Sequence, residues 1–327
     1  MNHLLRRLGF YAIAAWVAIT INFLLPRLMP GDPATAMFGR MLGQLSPEAL
    51  QSLRETFGLT SDPLWKQYLG YLQHVLRGDL GISAAYFPTP VTQVIGTGLV
   101  WTVLLAGSAV VISFVLGTLL GIATAWWRRG TVDAWLPPAL TFIGSFPYFW
   151  LSMVALYVAG FTLGWFPLGH AYSDELQPAW TFEFLWDVIV HAALPVGSLV
   201  LATLGGWVLS MRNTMITVLG SDYVNLARAK GLPTARVVLR YAARDALLPS
   251  ITSFGMALGF VLGGSLLTEI VFSYPGQGYL LVQAVRGQDY PLMQGIFLCI
   301  TLAVLAANWC VDLVVLWLDP RIRDSAS

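Results

Sequence analysis

The chain has 327 residues, of which 57% are hydrophobic and only 11% charged, with a mean hydropathy of +0.68. A soluble domain carries roughly 25% charged residues, so there is too little polar surface here to coat a water-exposed globule, and lipid must be the main solvent. The formal net charge of +1 identifies no partner; the placement of the charges carries the information.

The apolar run from Leu8 to about Leu25 is long enough to span a bilayer. Pro26, Arg27 and Pro30 follow it where a signal peptide would show a small-residue cleavage site. It reads as a retained first transmembrane helix. About 20 mainly apolar residues are needed per helical crossing, and six segments qualify, near 8–28, 99–127, 134–162, 188–211, 248–272 and 292–318. The predicted fold is therefore an all-α polytopic membrane protein with six transmembrane helices. The first helix (1–28) is followed by an extracytoplasmic region (29–97) and a five-helix core (98–327) with a cytoplasmic loop at 213–247.

Within 29–97, Ser46-Pro47-Glu48 signals a short helix running to about Thr56. Asp62-Pro63 repeats the start signal, and Gly78 supplies a stop. Between them Leu64, Trp65, Tyr68, Leu69, Leu72, Val75 and Leu76 share one helical face, expected to lie against the membrane or the other external loops. Pro147 and Pro195, inside spans, predict kinks. Trp101, Trp126, Trp127, Trp165, Trp186 and Trp317 near span ends read as interfacial anchors. Gly255, Gly259, Gly263 and Gly264 allow close helix packing in the fifth span. Glu269 and Asp312 sit near the ends of the fifth and sixth spans, where solvation or a nearby Arg would satisfy them, and Asn308 shares a helix face with Asp312.

Of the 18 Lys and Arg, 12 fall on one side: Arg6, Arg7, Arg128, Arg129, Arg212, Arg228, Lys230, Arg236, Arg240, Arg244, Arg321 and Arg323. That side is cytoplasmic, with both termini inside. The loop 220–247 itself reads as two short helices joined by a bend at Gly231 and Pro233. Arg236, Arg240 and Arg244 form a basic stripe flanked by Val237, Val238 and Tyr241. From charge alone the stripe fits anionic headgroups as well as it fits a protein partner. Gly231 is placed for a close backbone approach or a positive φ.

Catalytic patterns are missing. The only lysines, Lys66 and Lys230, follow Trp65 and Ala229, so no phosphate-cradling Gly-x-x-x-x-Gly-Lys-Ser/Thr exists. The four histidines form no His-Glu-x-x-His pair, and no Gly-x-Ser-x-Gly occurs. Cys299 and Cys310, about 16 Å apart on one helix, cannot form a disulfide with each other. No catalytic, cofactor-binding or metal-ligating set is predicted on this chain.

Several stretches do carry a pattern: Arg27-Leu28-Met29-Pro30-Gly31-Asp32-Pro33-Ala34, then Asp222-Tyr223-Val224 through Ala227-Arg228-Ala229-Lys230-Gly231-Leu232 and on to Arg244 and Leu248-Pro249. Val271-Phe272-Ser273-Tyr274-Pro275-Gly276, Asp289-Tyr290-Pro291 and Leu318-Asp319-Pro320-Arg321 complete the set. In this order the chain resembles the dipeptide/oligopeptide (peptide, oligosaccharide and nickel) family of ABC importer permeases, and most of all its B-type subunit with a long loop after the first helix.

The resemblance implies the type I ABC importer permease fold in the bacterial cytoplasmic membrane, paired with a second homologous permease. Two cytoplasmic ATPase subunits would hold the ATP and Mg, and an extracytoplasmic binding protein would deliver cargo; lipid, and no nucleic acid, completes the partners. It implies an ATPase-coupling loop carried by Asp222, Tyr223, Ala227, Arg228, Ala229, Lys230, Gly231 and Arg240. The broader importer pattern there is Glu-Ala-Ala, three residues, then Gly. Here Asn225-Leu226-Ala227 stands in its place with Gly231 in register, so Asn225 is not given the acid's role. Peptide is the expected cargo. Oligosaccharide is the alternative, favoured slightly by Tyr86-Phe87-Pro88-Thr89-Pro90-Val91 and Tyr274, and nickel is a further one. An ion-coupled secondary transporter is the rival mechanism, but its midplane charges and inverted repeats are not found.

Overall fold

The computed structural model describes residues 2–28, 62–259, 261 and 265–318, with side chains for 8–25, 27–28, 62–258, 261 and 265–310. The expected helix at 46–56, most of the segment 27–34, the Asp312 and Trp317 side chains and the 319–321 stretch lie outside these residues.

The described residues are helical, joined by loops, with no strand beyond one isolated bridge between Ile82 and Pro90. The long apolar elements are α1 (Asn2–Leu28), α3 (Val91–Trp126), α6 (Phe182–Leu219) and α11 (Tyr290–Leu318). α4 (Thr131–Gly144) and α5 (Tyr148–Thr162) form a further apolar pair bent by 96°. The bend has a plain cause: Pro147 stands at the N-cap of α5 with extended ψ, and the residue before a proline is driven out of the helical region. Pro195, by contrast, does not interrupt the 38-residue α6. Among the described residues four helices are thus long and apolar enough to cross a membrane, and the bent pair makes five. The expected fifth span is helical as α8 (Ala243–Gly259) and α9 (Leu266–Val271).

α2 (Leu64–Leu76) follows Pro63 and stops before Gly78, whose φ of +73° is open to glycine. Its start and stop are the ones its Pro and Gly signal.

α3 and α6 make the central crossing, and small residues allow it. A Cβ on Gly117 would run into Trp207, and one on Gly121 would come within 2.7 Å of Met211 Cβ. Gly205 lets α6 approach the Leu140 carbonyl of α4 in the same way, at 2.7 Å. Ser113 and Thr203 hydrogen-bond across α3 and α6 at 2.8 Å. Lipid gives helices no hydrophobic reason to associate, so close packing and such bonds must hold them. Of the glycines singled out in the fifth span, Gly259, Gly263 and Gly264 lie outside the described side chains. Trp101, expected at an interface, packs instead on Tyr172 and Tyr274, whereas Trp127, Trp165 and Trp186 are exposed.

The helix ends away from the basic loop are tied by two buried carboxylates. Glu269 on α9 accepts from the Thr102 hydroxyl of α3 and from Ser265, both at 2.8 Å. Its other oxygen accepts from the Gly278 amide at 2.7 Å and the Tyr279 amide at 3.4 Å, the orphan donors of the first turn of α10 (Gln277–Arg286). No Arg is needed; two hydroxyls and a helix N-terminus satisfy the charge. Gly276 is required because a Cβ there would collide with that carboxyl group. Asp289 caps α11 through the Leu292 amide at 3.0 Å, while its second oxygen takes the Ala85 amide at 2.8 Å and the Ser83 hydroxyl.

Gly117→Ala is expected to lower the thermal unfolding midpoint of the purified permease, overpacking costing about 1–3 kcal/mol. Gly206→Ala, on an open helix face, should hold or raise it. Glu269→Leu would strand the Gly278 amide and two hydroxyls at about 1–3 kcal/mol each, so membrane-inserted yield should fall sharply. Glu269→Gln, whose amide oxygen can face Gly278 and whose amide nitrogen can face the hydroxyls, should keep most of it. Equal yields of the two Glu269 variants would show that the carboxylate holds nothing.

Candidate functional site

The basic loop begins where α6 ends at Leu219. Asp222 opens α7 (Asp222–Ala229), in which Val224 and Ala227 point inward and are buried. They join a cluster with Ala125 at the end of α3, Met211 and Met215 of α6, and Ala243 and Ala246 of α8. Fully burying a side chain such as Val224 is worth on the order of 2 kcal/mol, so α7 is seated on the inner ends of three helices at once.

Its C-terminus is closed by Gly231. The Gly231 amide donates to the Arg228 carbonyl at 2.9 Å and the Leu232 amide to Ala227 at 3.4 Å, a paired closure that needs a left-handed residue between. Gly231 has φ +72°, and no atom lies within 4 Å of where its Cβ would stand. Of the two reasons for a glycine, positive φ is the operative one. Leu232, next along, packs into the same cluster.

The second half of the loop differs from the expected short helix. Thr234–Arg236 starts a helical stretch that passes through a π-helical segment at Val237–Ala242 and runs on into α8. Val237, Val238 and Ala242 are buried in the cluster, while Tyr241 stays exposed. The Tyr223 hydroxyl donates to Asp245 at 2.6 Å and pins α7 to the start of α8. Desolvation and the Asp245 carboxylate raise the Tyr223 phenol above its ordinary range.

The predicted residues divide by face. Val224 and Ala227 form the seat. Asp222, Tyr223, Asn225, Leu226, Arg228, Ala229 and Lys230 form an exposed outer face. Arg236, Arg240 and Arg244 are exposed beside it and have no ion-pair partner among the described residues. The outer surface of the loop is thus held from behind, carries spare positive charge, and includes the exposed apolar side chains of Leu226 and Leu239.

Two acids were passed over in the sequence: Asp245, and Asp133 at the start of α4. Asp133 takes two bonds from Arg212 of α6, at 2.5 and 3.0 Å, and a third from the Arg129 amide at 3.0 Å. Arg212 had counted only toward orientation. The one signal for Asp133 was an acid in the first turn of a helix, which names no partner.

Two family models match the chain. Residues 117–324 match the inner membrane component of binding-protein-dependent transport systems, and residues 1–113 match the N-terminal part of the membrane component of such systems. The chain is similar to a probable D,D-dipeptide transport system permease of Escherichia coli, 33% identical over 96% of this chain and 95% of the relative. It is equally similar, at 33% identity over 99% of both chains, to a dipeptide transport system permease of Escherichia coli and a glutathione transport system permease of Salmonella typhimurium. With apolar helices of spanning length and relatives aligned almost end to end, the chain belongs to the inner membrane permeases of binding-protein-dependent ABC transport systems, in the dipeptide-type group.

Proposed function

We propose that this chain forms half of the passage of an ATP-driven importer for small peptides, with six spans in the type I arrangement, a long external region after α1 and both termini in the cytoplasm. A second, homologous permease completes the passage, and an external binding protein delivers the cargo. ATP and Mg are bound by two cytoplasmic ATPase subunits, on which α7 and the basic stripe dock. Peptide is favoured over oligosaccharide or nickel by the dipeptide and glutathione permeases to which the chain is similar. Tyr274, which together with Tyr86–Val91 hinted at oligosaccharide, is fully buried against Trp101.

The observation that carries the docking role is the construction of α7. Its inner face is fixed to the ends of α3, α6 and α8, and its outer face is exposed and complete without any further part of the described chain. A headgroup-binding loop needs the charge but not the rigid seat.

Gly231 provides the test. An L-residue in the left-handed region costs roughly 1–2 kcal/mol, more for a β-branched side chain and less for Asn. In vesicles carrying the complete transporter, Gly231→Val should leave the two permeases paired, weaken co-purification of the ATPases and cut ATP-driven uptake about tenfold. Gly231→Asn should keep most of the uptake. Parental uptake by Gly231→Val would return the loop to a lipid-facing anchor.

A further inference from the structure

We propose that α2 is an interfacial helix that lies in the outer surface of the membrane and anchors the external region to lipid. α2 is fastened on one side to the outer part of α1. Gln67 accepts from the Arg27 guanidinium at 3.1 and 3.2 Å, Tyr71 accepts from Asn22 at 3.2 Å, and Tyr68 shares a 2.7 Å bond with Thr20. Asn22 also donates to the Gln294 carbonyl of α11 at 2.7 Å, which sets this contact one turn below the outer end of that span.

The side of α2 next to this contact is apolar and bare. Leu64, Trp65, Leu69 and Leu76 are 60%, 66%, 56% and 87% exposed, and no charged residue interrupts the row. The opposite side carries Lys66, Gln73 and Arg77. Such a division of one short helix, with a Trp on the apolar side, is the pattern of a helix lying at a membrane surface. The occupant follows from continuity: α1, to which α2 is bound, presents its own exposed row of Ile13, Trp16, Val17, Ile21, Leu24 and Leu28 to the bilayer. A face that took up and released a soluble partner would stand in water between encounters, and four large uncovered apolar side chains are costly there. Lipid covers them continuously.

The test uses the complete transporter in phospholipid vesicles, with Cys299 and Cys310 replaced by Ser. Spin labels are placed singly through Trp65→Cys, Leu69→Cys and Leu76→Cys, and through Lys66→Cys, Gln73→Cys and Arg77→Cys. The first three should be several-fold more accessible to oxygen than to a water-soluble nickel chelate, relative to the second three. On the unsubstituted chain, a phospholipid carrying a photoactivatable group near its headgroup should cross-link to the peptide containing Trp65 and Leu69. Higher nickel accessibility at 65, 69 and 76 would place the row in water. Protection from both reagents, with no lipid cross-link, would place it under another protein surface. Either result overturns the proposal.

Discussion

A fully buried carboxylate organises the half of this permease away from the basic loop. Glu269 is wholly buried, and a bare charge in a medium of low dielectric would cost many kcal/mol. The chain meets that cost with a hydroxyl from α3, a hydroxyl from the turn before α9 and the first amides of α10. Each donor answers a second need, because the N-terminus of α10 has amides without helical partners and Thr102 also accepts from the Gln277 amide at 2.7 Å. The same economy recurs at Asp289, which caps α11 and gathers the segment around Ser83 and Ala85. The segments at this end are shaped by which donors must reach which acid.

That constraint explains the short stretches by which the family was recognised. In Val271-Phe272-Ser273-Tyr274-Pro275-Gly276, Ser273 takes a positive φ of 48° so that the Tyr274 amide can return to the Glu269 carbonyl at 2.8 Å. Tyr274 fills the space against Trp101, and Gly276 makes room for the Glu269 carboxyl group. Asp289-Tyr290-Pro291 is a cap, an aromatic in the rim core and a proline in the first helical turn, where its missing amide is harmless. They are solutions to local closure.

What the sequence made legible was whatever depends on local backbone chemistry. The limits of α2 follow from Pro63 and Gly78, the sharp bend between α4 and α5 from Pro147, and the end of α7 from Gly231. Partnerships across the fold were not legible. Nothing in the neighbourhood of Asp133 points to Arg212, 79 positions away, nor does Glu269 announce Thr102. Gly117 and Gly121 look like any helix glycines until α6 is laid against them. The join of the basic loop to α8 was missed for a different reason: a π-helical segment widens the turn, so Val237, Val238 and Ala242 face inward together, in a pattern that helical periodicity does not describe.

The two ends of α3 bring these observations together. At its inner end Ala125 lies in the cluster that seats α7, and near its outer end Thr102 is bound to Glu269. Between them the helix crosses α6 through Gly117 and Gly121, too closely for either helix to slide without a clash. At α7 itself the usual sources of slack are closed: Gly231 is tied on both sides by backbone bonds, Tyr223 is bonded to Asp245, and the π-helical segment leads into α8 without a break. The loop is thus joined to the adjoining ends of α3, α6 and α8 through one continuous cluster. Stiffness of this kind comes from geometry more than from charge, so the docking role proposed for the loop does not depend on the acid of the broader importer pattern.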